Sequence, residues 1–112
     1  MYCTNDFDES LKQVQLEAKP VRVLKAWGMA ESPDVCCHCD WSGGFVMELA
    51  NGRFAYLTGW CDYTGWGCQD GADVTHAATI EALELPADKS WDDNPADLNK
   101  WIADGMKSWD ER

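Results

Sequence analysis

Positive charge is what this chain has least of. Nine Lys and Arg stand against twenty Asp and Glu, a formal net charge of −11 over 112 residues. Affinity for nucleic acid rests largely on Lys and Arg neutralising phosphates, so direct binding to DNA or RNA is excluded as a reading. An anionic membrane surface is disfavoured for the same reason. No run of about 18 apolar residues occurs, so no membrane-spanning helix is expected. The opening Met1-Tyr2-Cys3-Thr4-Asn5-Asp6 lacks the basic and apolar regions of a secretory signal, which makes a cytoplasmic location the expectation. Catalytic signatures are equally scarce. Gly65-x-Gly67 is only a fragment of a phosphate loop, there is no HExxH and no GxSxG elbow, and His38 and His76 are the only histidines. An enzyme is therefore not expected. A cysteine-dependent one, pairing Cys61 with His76 or using Cys68, ranks third among the functional readings, and His76 reads as a satisfied structural or surface residue.

What is present argues for a folded chain. Hydrophobic residues make up 46% of the sequence, with seven Trp, a content that disordered segments do not reach. The length fits one domain, residues 1–112, with a single core. The acidity also has a location. Residues 1–30 are balanced, residues 31–87 carry nine acids and only Arg53, and residues 88–112 are again mildly acidic.

The clearest predicted element is a hairpin. Two β-prone runs, Gly44 to Ala50 and Arg53 to Gly59, flank Asn51-Gly52, a dipeptide suited to the positive φ angles of a two-residue type I′ turn. That turn would set Leu49 opposite Phe54, Met47 opposite Tyr56 and Phe45 opposite Thr58, giving one apolar face. A C-terminal helix is expected from Asn94 as cap, Pro95 at the first position and Asp97 at the third. Its stripe would be Leu98, Trp101, Ile102, Gly105, Met106 and Trp109. Val21 to Met29 reads as a strand and Val74 to Glu84 as a strand or short helix ended by Pro86. Asp8 to Ala18 leans towards helix. The fold class is α+β: a small antiparallel sheet built around a central hairpin, packed by the C-terminal helix, with a long Gly-, Trp- and Cys-rich loop.

Six cysteines, at 3, 36, 37, 39, 61 and 68, supply the first chemical constellation. Cys36-x2-Cys39 has the spacing that points two thiolates at one ion, and Cys61 and Cys68 are the candidates to complete a tetrahedral zinc site. Cys37, His38 and His76 are substitutes. Unligated buried thiols and a disulfide are the competing readings, the first favoured by the burial habit of free Cys, the second by an oxidising compartment. Carboxylates at Asp34 and Asp40 beside the thiols oppose thiolate formation and a thioredoxin-like role.

The second constellation is Gly59 to Gly71, where Trp60, Tyr63 and Trp66 alternate with glycines and with Asp62 and Asp70, Asp73 following. Aromatic faces beside carboxylates suit an incoming Arg or Lys. The partner-binding set is Trp60, Asp62, Tyr63, Trp66, Asp70 and Asp73, although Trp60, next to the hairpin, is expected to pack inward. Trp27, Trp101 and Trp109 are assigned to the core. The leading functional expectation is a small acidic, non-enzymatic protein that engages a basic partner surface, with a zinc-stabilised structural or adaptor module as the alternative. In size and charge it is similar to the small acidic antagonists of restriction or CRISPR machinery made by phages and mobile elements, without a shared motif. That similarity implies carboxylates standing where phosphates would lie, a nucleic-acid-mimicking inhibitor.

Overall fold

The order of the elements follows from where the β-forming runs lie along the chain. A computed structural model describes residues 4–28, 41–64 and 67–105, with side chains described for 7–28, 42–61 and 71–105. Helix α1 (Thr4–Lys12) precedes four strands, β1 (Pro20–Gly28), β2 (Trp41–Leu49), β3 (Phe54–Thr64) and β4 (Gly67–Ala77); a 3-10 turn (Ile80–Ala82) and helix α2 (Ala96–Ala103) follow. The strands form one antiparallel meander in sequence order. The α+β class and the antiparallel sheet are as expected. Among the described residues no helix is long and apolar enough to cross a membrane.

The hairpin is present, but its turn is one residue longer than the two-residue form expected. Leu49 N–H donates to the Arg53 carbonyl at 2.8 Å, so Ala50, Asn51 and Gly52 form a three-residue loop. Gly52 takes the left-handed conformation at φ +82°, and Asn51 Oδ1 accepts from Arg53 N–H. This is the alternative that Asn-Gly also permits, a type I turn closed by a left-handed residue. One extra loop residue flips every facing pair. Phe45 sits opposite Leu57, Met47 opposite Ala55 and Glu48 opposite Phe54, rather than the pairs expected.

Both sheet faces are consequently covered. Phe45, Met47, Leu49, Ala55 and Leu57 line the helix side, where Phe7 and Leu11 of α1 and Leu98 of α2 complete the buried cluster. Phe7 packs against Phe45 with ring centroids 5.0 Å apart and meets the edge of Trp101 at 5.6 Å. Val46, Tyr56 and Ala77 look the other way, against Leu83 from the segment after β4, with Phe54, Leu85 and Trp91 around them. Strand β1 serves both sides because two register shifts, at Val21 and Leu24, break its alternation.

The remaining differences from expectation have local causes. The stretch Gly59–Gly71, expected as a loop, is mostly the far half of the β3–β4 hairpin, in register from Gly59↔Ala72 to Thr64↔Gly67. Small residues there give aromatic rings room on the neighbouring strand: a Cβ on Gly71 would collide with the Trp60 indole, and one on Gly44 with Trp27. The expected Val74–Glu84 element is the end of β4, then a 3-10 turn in which Thr79 accepts from Ala82 N–H. Helix α1 stops at Lys12, where Lys12 pairs back with Asp8 and Glu9, so the expected helix over Asp8–Ala18 is only half realised. Residues 13–19 instead fasten the sheet ends. The Glu17 carboxylate pairs with Arg53 at 2.8 Å and its N–H donates to His76 Nε2. Pro95 caps α2 from outside rather than occupying its first turn, and Asn94 N–H instead turns onto the Asp92 carboxylate. Gly105 N–H bonds back to Ile102 as the helix ends; Met106 and Trp109 lie outside the described residues.

The free edge of β1 is closed. Asn99 Oδ1 accepts from Val23 N–H at 2.7 Å, and its Nδ2 donates to the Val23 carbonyl at 3.0 Å, so one amide side chain imitates a paired strand. Asp92 exchanges both backbone bonds with Ala26 three residues on. An unpaired, half-buried backbone group costs about 1–3 kcal/mol. Asn99→Ala should therefore lower the unfolding free energy by about 1–3 kcal/mol, read as a lower denaturant midpoint with an unchanged slope, and Asn99→Asp, which keeps the acceptor and loses the donor, should fall between it and the native chain.

Candidate functional site

The face opposite the helices carries the functional candidates. Alternation along β3 and β4 sets Tyr56 opposite Thr75, Thr58 opposite Asp73 and Trp60 opposite Gly71, all on this side. The chain leaving β4 returns over the same side, and between them lies an open groove of roughly 340 Å³ lined by Tyr56, Thr58, Asp73, Thr75, Leu83 and Glu84, among others. At one end of the face Trp60 lies flat on Gly71 with 39% of its surface exposed. The expectation that Trp60 packs inward is thereby corrected. A glycine opposite it supplies a flat bed on the sheet, and nothing described covers the ring from above.

Two other tryptophans share this face, and both already hold a cation. Lys89 Nζ sits 4.3 Å from the Trp27 ring centroid and Lys25 Nζ 4.7 Å from that of Trp91. Cations over indole faces contribute about 0.5–1 kcal/mol at exposed sites and more when desolvated. Among the described residues no Lys or Arg stands over Trp60. From Phe54 to Asp88 the chain has the acids Asp62, Asp70, Asp73, Glu81, Glu84 and Asp88 and no Lys or Arg at all. The β3–β4 side of the face thus joins an exposed ring to Asp73 and Glu84, for which no Lys or Arg partner stands among the described residues.

The floor of the groove is held by a buried bond in which Trp27 Nε1–H donates to the Tyr56 hydroxyl at 3.0 Å. Tyr56 also packs on Trp91, whose Nε1–H donates to the Pro86 carbonyl. Burial raises the Tyr56 pKa above its ordinary 10.0; the Trp27 donor pulls it partly back and the Asp88 carboxylate pushes it up again.

Of the six residues expected to bind a partner, the structure brings Trp60 and Asp73 onto one face. Asp62, Tyr63 and Asp70 are placed by their backbone, in the pairs Asp62↔Gln69, Tyr63↔Cys68 and Cys61↔Asp70, and their side chains lie outside the description. Trp66 lies outside the described residues altogether, as do Cys36 and Cys39. Tyr56, Thr58, Thr75, Leu83 and Glu84 were not anticipated. Period-two alternation from Trp60 back to Tyr56 would have found the strand residues, whereas Leu83 and Glu84 arrive only by tertiary folding.

The cysteine site stands differently. Cys61 is buried and disulfide-bonded. A bonded sulfur has no thiolate to offer an ion, so the expected zinc set of Cys36, Cys39, Cys61 and Cys68 and the observed bond are mutually exclusive states of Cys61. Among the described residues no group of three or more His, Cys, Asp or Glu is placed to hold a metal ion. His76 lies on the helix side of the sheet end, accepting from Glu17 N–H, rather than beside Cys61. Compared with known protein families, curated proteins and solved structures, the chain matches none.

Two measurements follow from this geometry. Because the folded Tyr56 pKa lies above the unfolded one, its contribution to stability is complete below about pH 10 and lost as pH rises through the folded value. Denaturant midpoints should fall across that alkaline range, and less so in Tyr56→Phe, which starts lower because the Trp27 N–H loses its acceptor. Iodoacetamide applied to the unfolded protein before reduction should leave Cys61 unlabelled by peptide mass mapping, and label it once reductant is added. Labelling of Cys61 without reductant would mean a free thiol rather than a disulfide.

Proposed function

We propose that this chain is a small acidic, non-enzymatic binding protein that engages a basic surface of a partner protein through the sheet face carrying Trp60 and Asp73. The observation that carries the reading is the open Trp60 ring on its glycine bed, on the face where Trp27 and Trp91 already accept lysines from the chain itself. That face is built to receive cations, and one ring is left for an external one. The carboxylates of β3, β4 and the 81–88 segment add long-range attraction, which speeds association and sets its orientation. A partner whose basic surface ordinarily holds nucleic acid fits this pattern best. Carboxylates would compete there with phosphates, and inhibition would be the outcome.

The test uses an arginine-rich peptide as the basic surface, titrated into the isotopically labelled protein and followed by NMR. Shifts should centre on the Trp60 indole, Thr58 and Asp73, and affinity should fall steeply between low and high salt. Trp60→Ala should weaken binding about fivefold, near 1 kcal/mol. Reversal of Asp62, Asp70 and Asp73 to Lys together should abolish it. Affinity indifferent to both salt and charge reversal would exclude the proposal.

A further inference from the structure

The two borders of the sheet are treated unequally, and the difference points to how a partner attaches. Leu49 and Arg53 form a directly bonded pair at the β2–β3 turn. In an antiparallel ladder bonded and non-bonded pairs alternate, so the odd-numbered residues of β3 from Arg53 bond to β2 and the even-numbered ones to β4. Tyr56↔Thr75 and Thr58↔Asp73 are then bonded pairs, and the backbone N–H and C=O groups of Ala72, Val74 and His76 point outward from the sheet. The same alternation turns Val23 and Ala26 outward on β1, which is where Asn99 and Asp92 bind. On β1 those groups are satisfied. On β4 no described residue bonds to the outward backbone of Ala72 or Val74.

We infer that β4 is a docking edge that adds an extended basic segment of a partner protein as a fifth strand. The inference rests on the charge-recognition reading above and specifies its geometry. Main-chain bonds to Ala72 and Val74 would supply the register, and alternate side chains of the added strand would fall into the groove beside Thr75 and Leu83. There Asp73 and Glu84 stand ready for a guanidinium or ammonium group. Charge selects this occupant over a second copy of the chain. Strand β4 contains Asp70 and Asp73 and no Lys or Arg, so self-pairing would bring like-charged edges together in a molecule of net charge −11. A basic strand meets the opposite condition.

Amide hydrogen exchange on the unmodified protein reads this directly, with a short peptide alternating arginine and valine as the probe. Amides of Asp73 and Thr75 should be protected in the free protein, whereas those of Ala72 and Val74 should not. With free peptide at ten times its Kd, exchange at Ala72 and Val74 should slow about tenfold, because only the unbound fraction exchanges. The same peptide N-methylated at alternate residues, which keeps the charge and loses the main-chain donors, should bind at least tenfold more weakly, and Ala72→Pro should weaken the parent peptide similarly. Salt-sensitive binding without protection at Ala72 and Val74, and with the N-methylated peptide equally effective, would overturn strand addition and leave charge recognition intact. Absence of any binding at low salt would overturn both. Protection at these amides that grows with protein concentration in the absence of peptide would show self-pairing and overturn the basic occupant.

Discussion

The register of the β2–β3 hairpin is the constraint on which the rest depends. With Gly52 in the left-handed region and three residues in the turn, Leu57 and Ala55 join Phe45 and Met47 under the helices, and Phe54 and Tyr56 pass to the opposite side. That division gives the sheet two interiors of unequal kind. One is built on an apolar cluster and closed by α1 and α2. The other is aromatic, floored by the Trp27–Tyr56 bond and left open along β4. Every feature offered for function follows from the second. A turn shorter by one residue would have sent Tyr56 to the helix side and removed the groove's floor.

Within the aromatic face one arrangement is used twice. Trp27 lies across Gly44 and Trp60 across Gly71, each an indole resting where the facing strand has no side chain. The Trp27 copy is buried, bonded and topped by Lys89; the Trp60 copy is exposed. The difference between the covered ring and the exposed one goes with the segment 83–92, from which Lys89 reaches over Trp27 while no described Lys or Arg reaches over Trp60.

Much of this was legible in the residues and some was not, for identifiable reasons. The strand β1, the hairpin centred on Asn51-Gly52, the Leu98, Trp101 and Ile102 stripe and the burial of Trp27 follow from periodicity and β propensity. The register was not, because Asn-Gly serves two turn lengths, and with both faces apolar, burial does not choose between them. The Gly59–Gly71 strands were hidden by composition. Glycine and tryptophan at that density read as a loop until rings and glycines are seen to pair across strands. Trp60 and Asp73 could be singled out by ring and charge, but their partnership needed the pairing of Thr58 with Asp73. The bonded state of Cys61 is invisible in spacing alone, since thiol, metal ligand and disulfide share the same letters.

Asn99 has a consequence beyond the bonds it makes. By imitating a strand with a single amide, it ends the meander on the β1 side without presenting any ladder of its own. Lateral growth from that border stops, and any growth is confined to the opposite one. A strand added beside β4 would therefore be bounded on the far flank, giving a closed pair rather than a ribbon unless the newcomer brought a second bare margin.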